Sequence, residues 1–282
     1  MSRTVYVNGS YVPEAEAKVS VFDRAFLFGD AVYEVTAVLD GKLVDFAPHL
    51  ARLDRSLKEI ALAAPLSHED LRKLHEELVA RNKVEEGMVY LEITRGAAER
   101  DFAYPESPQP NVIAFTQSKP LIANPYAETG VKVVTIPDLR WKRRDIKSTS
   151  MLAQAMGKQE AKSRGAYEAW MVEDGRVTEG TSSSAFILDA QGVIRTQPLG
   201  HHILPGVTRR AVLRLAALEG ASLEERPFSV AEALAAREAF MTAASAFVLP
   251  VVEIDSVAIG NGQPGPMARK FRALYIEEAR KG

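Results

Sequence analysis

The chain has 282 residues, 46% hydrophobic and 26% charged, enough for one large core or two modest domains. Its 35 basic and 37 acidic residues leave a formal charge of -2, which argues against a dedicated nucleic-acid binder. With no cysteine, disulfides, thiolate metal sites and cysteine nucleophiles are excluded. No apolar run approaches the roughly 20 residues of a membrane span, and no apolar signal core follows Met1. A soluble cytoplasmic protein with no membrane or nucleic-acid partner is therefore expected.

In chain order, Val5–Val7 and Tyr11–Val12 flank Asn8-Gly9, a pair that tolerates positive φ and so predicts a hairpin. Ala31–Val38 is rich in β-formers, and Asp40-Gly41 turns it back into Lys42–Phe46. Leu50, Leu53, Leu57 and Ile60 give the next segment one apolar helical face. Ser67 and Asp70 suggest a capping box for a helix reaching about Arg81. Val89–Ile93 and Val112–Phe115 read as strands around a loop with Arg95, Gly96, Arg100 and Pro105. Residues 119–130, with Pro120, Asn124 and Pro125, read as a linker between an α+β domain at 1–118 and another at 131–282. Beyond it, Val131–Ile136 is a strand and Met151–Lys162 a helix that Gly165 can end. Hairpins follow at Ala169–Thr178 and Ala185–Thr196, a helix starts near Val207, Ala243–Val252 is small and then β-rich, and a last helix spans Met267–Arg280. Without regular βαβ alternation, two α+β domains are favoured over a doubly wound sheet.

Three stretches can carry chemistry. Lys147 follows Arg143 and Arg144, and neighbouring cations or burial can make a lysine a carbonyl nucleophile. Alone it reads first as a solvated basic turn. Glu179 precedes Gly180 and four hydroxyl residues, Thr181 to Ser184, a turn able to offer donors to an anion or simply a hydrophilic loop. Gly206-Val207-Thr208-Arg209 opens an apolar-faced helix, whose free N–H groups suit a phosphate, or else form a plain cap. Arg52 could add a fixed charge to that phosphate. Lysine, phosphate anchor and a carboxylate for a ring nitrogen are what pyridoxal phosphate requires. His201-His202 lacks a third ligand at metal spacing.

Phe28-Gly29-Asp30-Ala31-Val32-Tyr33-Glu34, Thr94-Arg95-Gly96, Arg140-Trp141 with Asp145-Ile146-Lys147-Ser148, Tyr167-Glu168-Ala169, Val177-Thr178-Glu179-Gly180-Thr181-Ser182-Ser183 and Gly206-Val207-Thr208-Arg209 together resemble the class IV, or fold-type IV, pyridoxal-phosphate aminotransferases. Within that family the chain is most similar to the D-amino-acid transaminases. The resemblance implies a two-domain α+β fold, pyridoxal 5'-phosphate at the domain interface and a homodimer exchanging amino groups between an amino acid and a 2-oxo acid. It implies Lys147 as the Schiff-base lysine and proton shuttle, and Glu179 as the ring-nitrogen partner, held by Arg140 and Glu168. It places Arg52, Val207 and Thr208 around the phosphate, Ser182 and Ser183 in the turn nearest the cofactor, and Tyr33 and Arg100 on the substrate side, Arg100 reaching across the dimer.

Two departures stand out. Where the D-amino-acid branch carries Arg-x-His, this chain has Arg100-Asp101-Phe102, and Phe102 cannot donate a hydrogen bond. The second phosphate loop matches Ala243-Ala244, without the usual hydroxyls at those positions and with Ser245 one residue later, so backbone N–H groups such as that of Ala244 are expected to bind the phosphate. A branched-chain L-aminotransferase, an (R)-amine transaminase and an aminodeoxychorismate lyase share the fold and are the alternatives. A binding protein without activity is disfavoured by the intact Lys147 and Glu179.

Overall fold

The computed structural model describes residues 3–281. It divides into two compact units. One runs through Pro120 and takes in Ile146–Ser150; the other comprises Leu121–Asp145 and Met151–Lys281.

The first unit is a six-stranded antiparallel sheet in the order β2-β1-β6-β5-β3-β4. Its strands are β1 (Thr4–Val7), β2 (Ser10–Pro13), β3 (Ala31–Leu39), β4 (Lys42–Leu43), β5 (Glu86–Thr94) and β6 (Asn111–Ser118). Asn8 and Gly9 join the first pair at φ 47 and 90, and Asp40 and Gly41 turn β3 into β4 at φ 51 and 70. Both turns need positive φ at two successive positions, as their sequences suggest.

Because side chains alternate along a strand, the sheet has two distinct faces. Val32, Val38, Val89, Leu91 and Ile93 point to one face, where α2 (Phe46–Glu59) and α3 (His68–Asn82) bury Leu50, Leu53, Leu57, Leu71, Leu74 and Leu78. Tyr33, Tyr90 and Phe115 lie on the other, stacked with centroids 5.5 and 4.8 Å apart. Ser67 caps α3 by accepting from Asp70 N at 3.1 Å, but its own hydroxyl donates to Asp70 Oδ2 at 2.6 Å. The aspartate engages the hydroxyl rather than the cap's backbone. A reciprocal capping box occurs instead at Ser229 and Glu232.

By its place in the chain, Ile146–Ser150 falls within the expected C-terminal domain; its contacts put it in the first unit. β4 covers β3 only at Val38 and Leu39, so the backbone at the other end of that edge needs partners. Tyr33 N donates to Lys147 O at 3.0 Å, Thr149 N donates to Ala31 O at 3.1 Å, and Val32 bridges Ser148. Ile146 is buried in the helical core. Gly29 ends the short helix α1 (Arg24–Phe28) at φ 67, and a Cβ there would stand 2.5 Å from Ser150 Oγ.

The second unit holds a nine-stranded mixed sheet, ordered β12-β11-β10-β13-β14-β7-β8-β9 with β15 paired to β14. Its elements in chain order are α4 (Pro125–Thr129), β7 (Val131–Pro137), α5 (Leu152–Ser163), β8 (Glu168–Glu173), β9 (Arg176–Gly180), β10 (Ser184–Leu188), β11 (Ile194–Thr196), α6 (Val207–Leu218), β12 (Leu223–Glu225), α7 (Val230–Leu234), β13 (Glu238–Ala243), β14 (Phe247–Ile254), β15 (Val257–Ala258) and α8 (Pro266–Ala279). β7 runs parallel to β14 and β8, and β11 parallel to β12; the other pairs are antiparallel. Trp170, Val177, Phe228 and Leu249 share its main core. The stretch from Ala243 to Val252 splits into the end of β13, a turn and β14. Pro266 starts the last helix, and Glu238 accepts from Met267 N and Ala268 N at 3.0 and 3.1 Å. Both units are α+β.

His75 donates from Nδ1 to Leu71 O at 2.7 Å and packs edge-on to Phe46. Burial lowers its pKa from the ordinary 6.5 to about 4. The unfolded chain therefore binds more protons than the folded one within that window, so stability present above 6.5 is lost as pH falls toward 4. We expect the melting temperature to fall over this range and His75→Phe to make the fall shallower; an equally steep fall in the variant would contradict the assignment.

Candidate active site

The expected site residues fall into two sets, one in each unit. In the first unit, Lys147 sits on the segment that completes the edge of β3. Its backbone N–H donates to Ser56 Oγ at 3.3 Å, tying the segment to α2. Its Nζ lies 4.1 Å from the centroid of the Tyr33 ring, so the two side chains are brought together. Tyr33 is backed by Tyr90, whose hydroxyl donates to Glu92 Oε2 at 2.7 Å.

Arg52, one helical turn before Ser56, is buried. It donates from Nε to Glu34 Oε1 at 2.8 Å and from Nη2 to Glu34 Oε2 at 2.7 Å. Glu34 follows Tyr33 on β3 and so points to the opposite face. His49 Nδ1 also lies 2.7 Å from Glu34 Oε2. Burial raises the Glu34 carboxyl, but the Arg52 guanidinium and its hydrogen bonds outweigh this and hold it far below the usual carboxylate range. The result is a rigid guanidinium. Arg100 lies in the loop after β5, its guanidinium 5.4 and 5.7 Å from the Phe28 and Phe102 ring centroids. Phe102 is 80% exposed.

In the second unit, Glu179 near the end of β9 is 5% exposed. Arg140 Nη1 donates to its Oε1 at 2.5 Å, and Leu204 N donates to its two oxygens at 3.1 and 3.2 Å. Burial pushes the Glu179 carboxyl above its ordinary value, with Arg140 opposing the rise. Arg140 also reaches Asp138 from Nη2 at 2.7 Å. Burial would lower its pKa, but the two carboxylates outweigh burial and raise it. Arg144 pairs with Glu173 at 2.8 Å and Asp138 at 3.3 Å, and Arg143 with Asp145 at 3.1 Å. Both neighbours of Lys147 in sequence thus have carboxylate partners of their own.

Glu168 does not hold Glu179. Fully buried at the start of β8, it accepts from the hydroxyls of Thr181, Ser182 (2.8 Å) and Ser183 (3.4 Å), with Lys158 Nζ 3.8 Å away. The turn after Glu179 therefore aims its hydroxyls at this carboxylate. A Cβ at Gly180 would stand 2.2 Å from Ser183 Oγ and 3.3 Å from Glu168 Cγ, so any larger residue there would force the serine hydroxyl to move. Val207 and Thr208 open α6, and Thr208 Oγ1 is buried with no hydrogen-bond partner among the described residues. Ala244 stands in the turn between β13 and β14, ahead of Phe247, which takes φ 60 with its ring against Tyr275.

Asp138, Thr178 and the Leu204 amide are not among the residues that sequence reasoning singles out. Asp138 could have been found from its spacing to Arg140, which also brings Arg140 Nε within 3.0 Å of Asp138 Oδ1. The Leu204 amide, with no side-chain signature, could not.

The family model for amino-transferase class IV matches residues 31–254. The chain belongs to the class IV aminotransferases. This aminotransferase is 40% identical over 270 residues to the D-alanine aminotransferase of Bacillus licheniformis, covering 95% of this chain and 94% of that one. It is 37% identical over 279 residues to the D-alanine aminotransferase of Staphylococcus aureus (strain MSSA476), covering 97% and 98%. Its structure resembles the branched-chain amino acid aminotransferase of Escherichia coli with a TM-score of 0.91 at 22% identity, covering 99% and 95%, a likeness of fold alone. It also resembles the branched-chain amino acid aminotransferase of Thermoproteus uzoniensis, solved with norvaline, with a TM-score of 0.86 at 29% identity, covering 100% and 97%.

Class IV aminotransferases use pyridoxal 5'-phosphate, and the residues here fit it. Thr208 Oγ1 is a buried donor with no partner among the described residues, at the start of a helix that no side chain caps. Glu179 is a buried carboxylate held in one orientation. Lys147 offers a primary amine against an aromatic ring.

Removing one member of a buried ion pair leaves an uncompensated charge, a loss of about 3–5 kcal/mol. Arg140→Gln should lower unfolding free energy by that order, and Glu179→Gln on the same background should restore part of it. Chemical denaturation checks this; no recovery in the double variant would show that the pair does not govern the loss.

Proposed function

We propose that this chain transfers the amino group of a D-amino acid such as D-alanine to a 2-oxo acid such as 2-oxoglutarate, as a cytoplasmic homodimer. The observation that carries the substrate class is the near full-length similarity, at 37–40% identity, to D-alanine aminotransferases. The exposed Val21, Phe22, Phe26 and Phe102 support a subunit interface. The loop bearing Phe102 is tied to the segment bearing Phe22 by Ala98 N donating to Phe22 O at 3.3 Å.

Bound pyridoxal phosphate supplies an aldehyde that captures amines and a ring that stores the charge left at the substrate's Cα. The protein does the rest. Lys147 Nζ is the amine that would hold the cofactor's aldehyde group, and it would serve as the base that takes and returns the substrate's Cα proton. The Tyr33 face confines Nζ during this exchange. Glu179 would keep the ring nitrogen protonated, its carboxylate held in place by Arg140 and Leu204 N. A cationic ring nitrogen beside Glu179 also opposes the effect of burial on that carboxyl. Thr208, the first amides of α6 and the turn at Ala244 are the groups that would take the phosphate, and Arg52, held rigid by Glu34, would add its charge. Ser182 and Ser183, their hydroxyls engaged by Glu168, would meet the cofactor with backbone. Arg100 takes the substrate carboxylate; with Phe102 as its neighbour, it does so without help from a side-chain donor at that position.

The purified protein should be yellow, and borohydride reduction should fix the cofactor to the peptide containing Lys147; Lys147→Ala should lose both properties. Wild type should form glutamate from D-alanine and 2-oxoglutarate, and not from L-leucine. Turnover of L-leucine alone, or of (R)-1-phenylethylamine in preference to D-alanine, would move the chain to the corresponding branch. Pyruvate from aminodeoxychorismate without an acceptor would make it a lyase.

A further inference from the structure

We infer that Arg24 is the positioning residue that sets the shape of the loop carrying Arg100; the inference deepens the reading of Arg100 as the group that takes the substrate carboxylate. The loop connects β5 to β6 and presents Arg100, Asp101, Phe102 and Tyr104 to solvent. Such a loop has little apolar core of its own, so its backbone must be held by something else. Arg24, on α1, is 3% exposed. Its Nη1 donates to Asp101 O at 2.6 Å and Ala103 O at 3.2 Å, and its Nη2 donates to Phe102 O at 3.4 Å.

Three successive carbonyls turned toward one guanidinium require the chain just after Arg100 to curl around Arg24. The guanidinium is itself anchored. Its Nε donates to Asp30 Oδ2 at 2.7 Å, and the same oxygen accepts from Arg95 Nε at 2.9 Å. Arg95 is tied to Ile60 O at 2.6 Å and lies 3.6 Å from the Tyr104 ring centroid, gripping the far side of the loop. At the neck, Arg24 N donates to Gly96 O at 2.9 Å. A charged donor shared among carbonyls in a nearly dry setting is stronger than a neutral one. What Arg24 holds at position 102 is a carbonyl, so this hold does not draw on the side chain there.

The test is a double-variant cycle with D-alanine as donor. Arg100→Ala should raise KM for D-alanine by about tenfold or more, and Arg24→Met by several-fold, with kcat changed less and the visible cofactor band kept. The double variant should be no worse than Arg100→Ala alone, because both act through one group. Additive effects, or a fall in kcat with KM unchanged, would overturn the inference. If Arg24→Met does not fold, Arg24→Lys keeps the charge near Asp30 but cannot span three carbonyls. Trypsin should then cut at Arg100 faster than in wild type, with the remaining fragments resistant, and an unchanged rate would overturn the clamp. If Arg100→Ala leaves KM unchanged, the substrate role of Arg100 fails, while the proteolysis still decides whether Arg24 shapes the loop.

Discussion

A carboxylate removed from water and aimed by an arginine is the constraint on which the second unit depends. Glu179 keeps a defined orientation because Arg140 and the Leu204 amide together engage both of its oxygens. Arg140 is in turn fixed by Asp138, which also accepts from the Thr178 hydroxyl at 2.7 Å. The network links the end of β7, strand β9 and the loop before α6. Burying so many charges has a large desolvation cost, and mutual pairing offsets it only when the geometry is kept. That arrangement gives the carboxylate one fixed orientation, which the proposed role at the ring nitrogen would use.

The first unit applies the same logic to a different residue. Alternation along β3 sends Tyr33 to the sheet face beside Lys147 and Glu34 to the helical face beside Arg52. One strand thus serves the amine with an aromatic wall and the guanidinium with a carboxylate. The Lys147 segment completes the open part of the β3 edge, so the backbone that carries the amine is held by ladder hydrogen bonds. Sites held by regular elements vary less in position than sites on free loops.

Much of this was legible in the residues. Asn8-Gly9 and Asp40-Gly41 demanded positive φ and received it, and the leucine spacing of α2 and α3 matched the buried face. The ordered motifs pointed to the cofactor and the family. What local sequence could not encode was the choice among distant partners. Ile146–Ser150 lies in the C-terminal half of the chain, yet the unpaired edge of β3 claims it. Glu168 precedes a register shift between β8 and β9, and this carboxylate meets the hydroxyl turn rather than Glu179. Arg24 lies 77 positions from the nearest carbonyl it holds, and only the fold brings them together. The true capping box at Ser229 was hidden for a simpler reason: its helix has five residues, too few to show an apolar period.

The central claim is that Glu179, oriented by Arg140, keeps the cofactor's ring nitrogen protonated. Loading the protein with pyridoxal phosphate labelled with 15N in the ring, and recording its nitrogen NMR spectrum, tests this directly. The account predicts the chemical shift of a protonated pyridinium in wild type and that of a neutral pyridine in Glu179→Gln. A neutral ring nitrogen in wild type, or the same shift in both proteins, would contradict it.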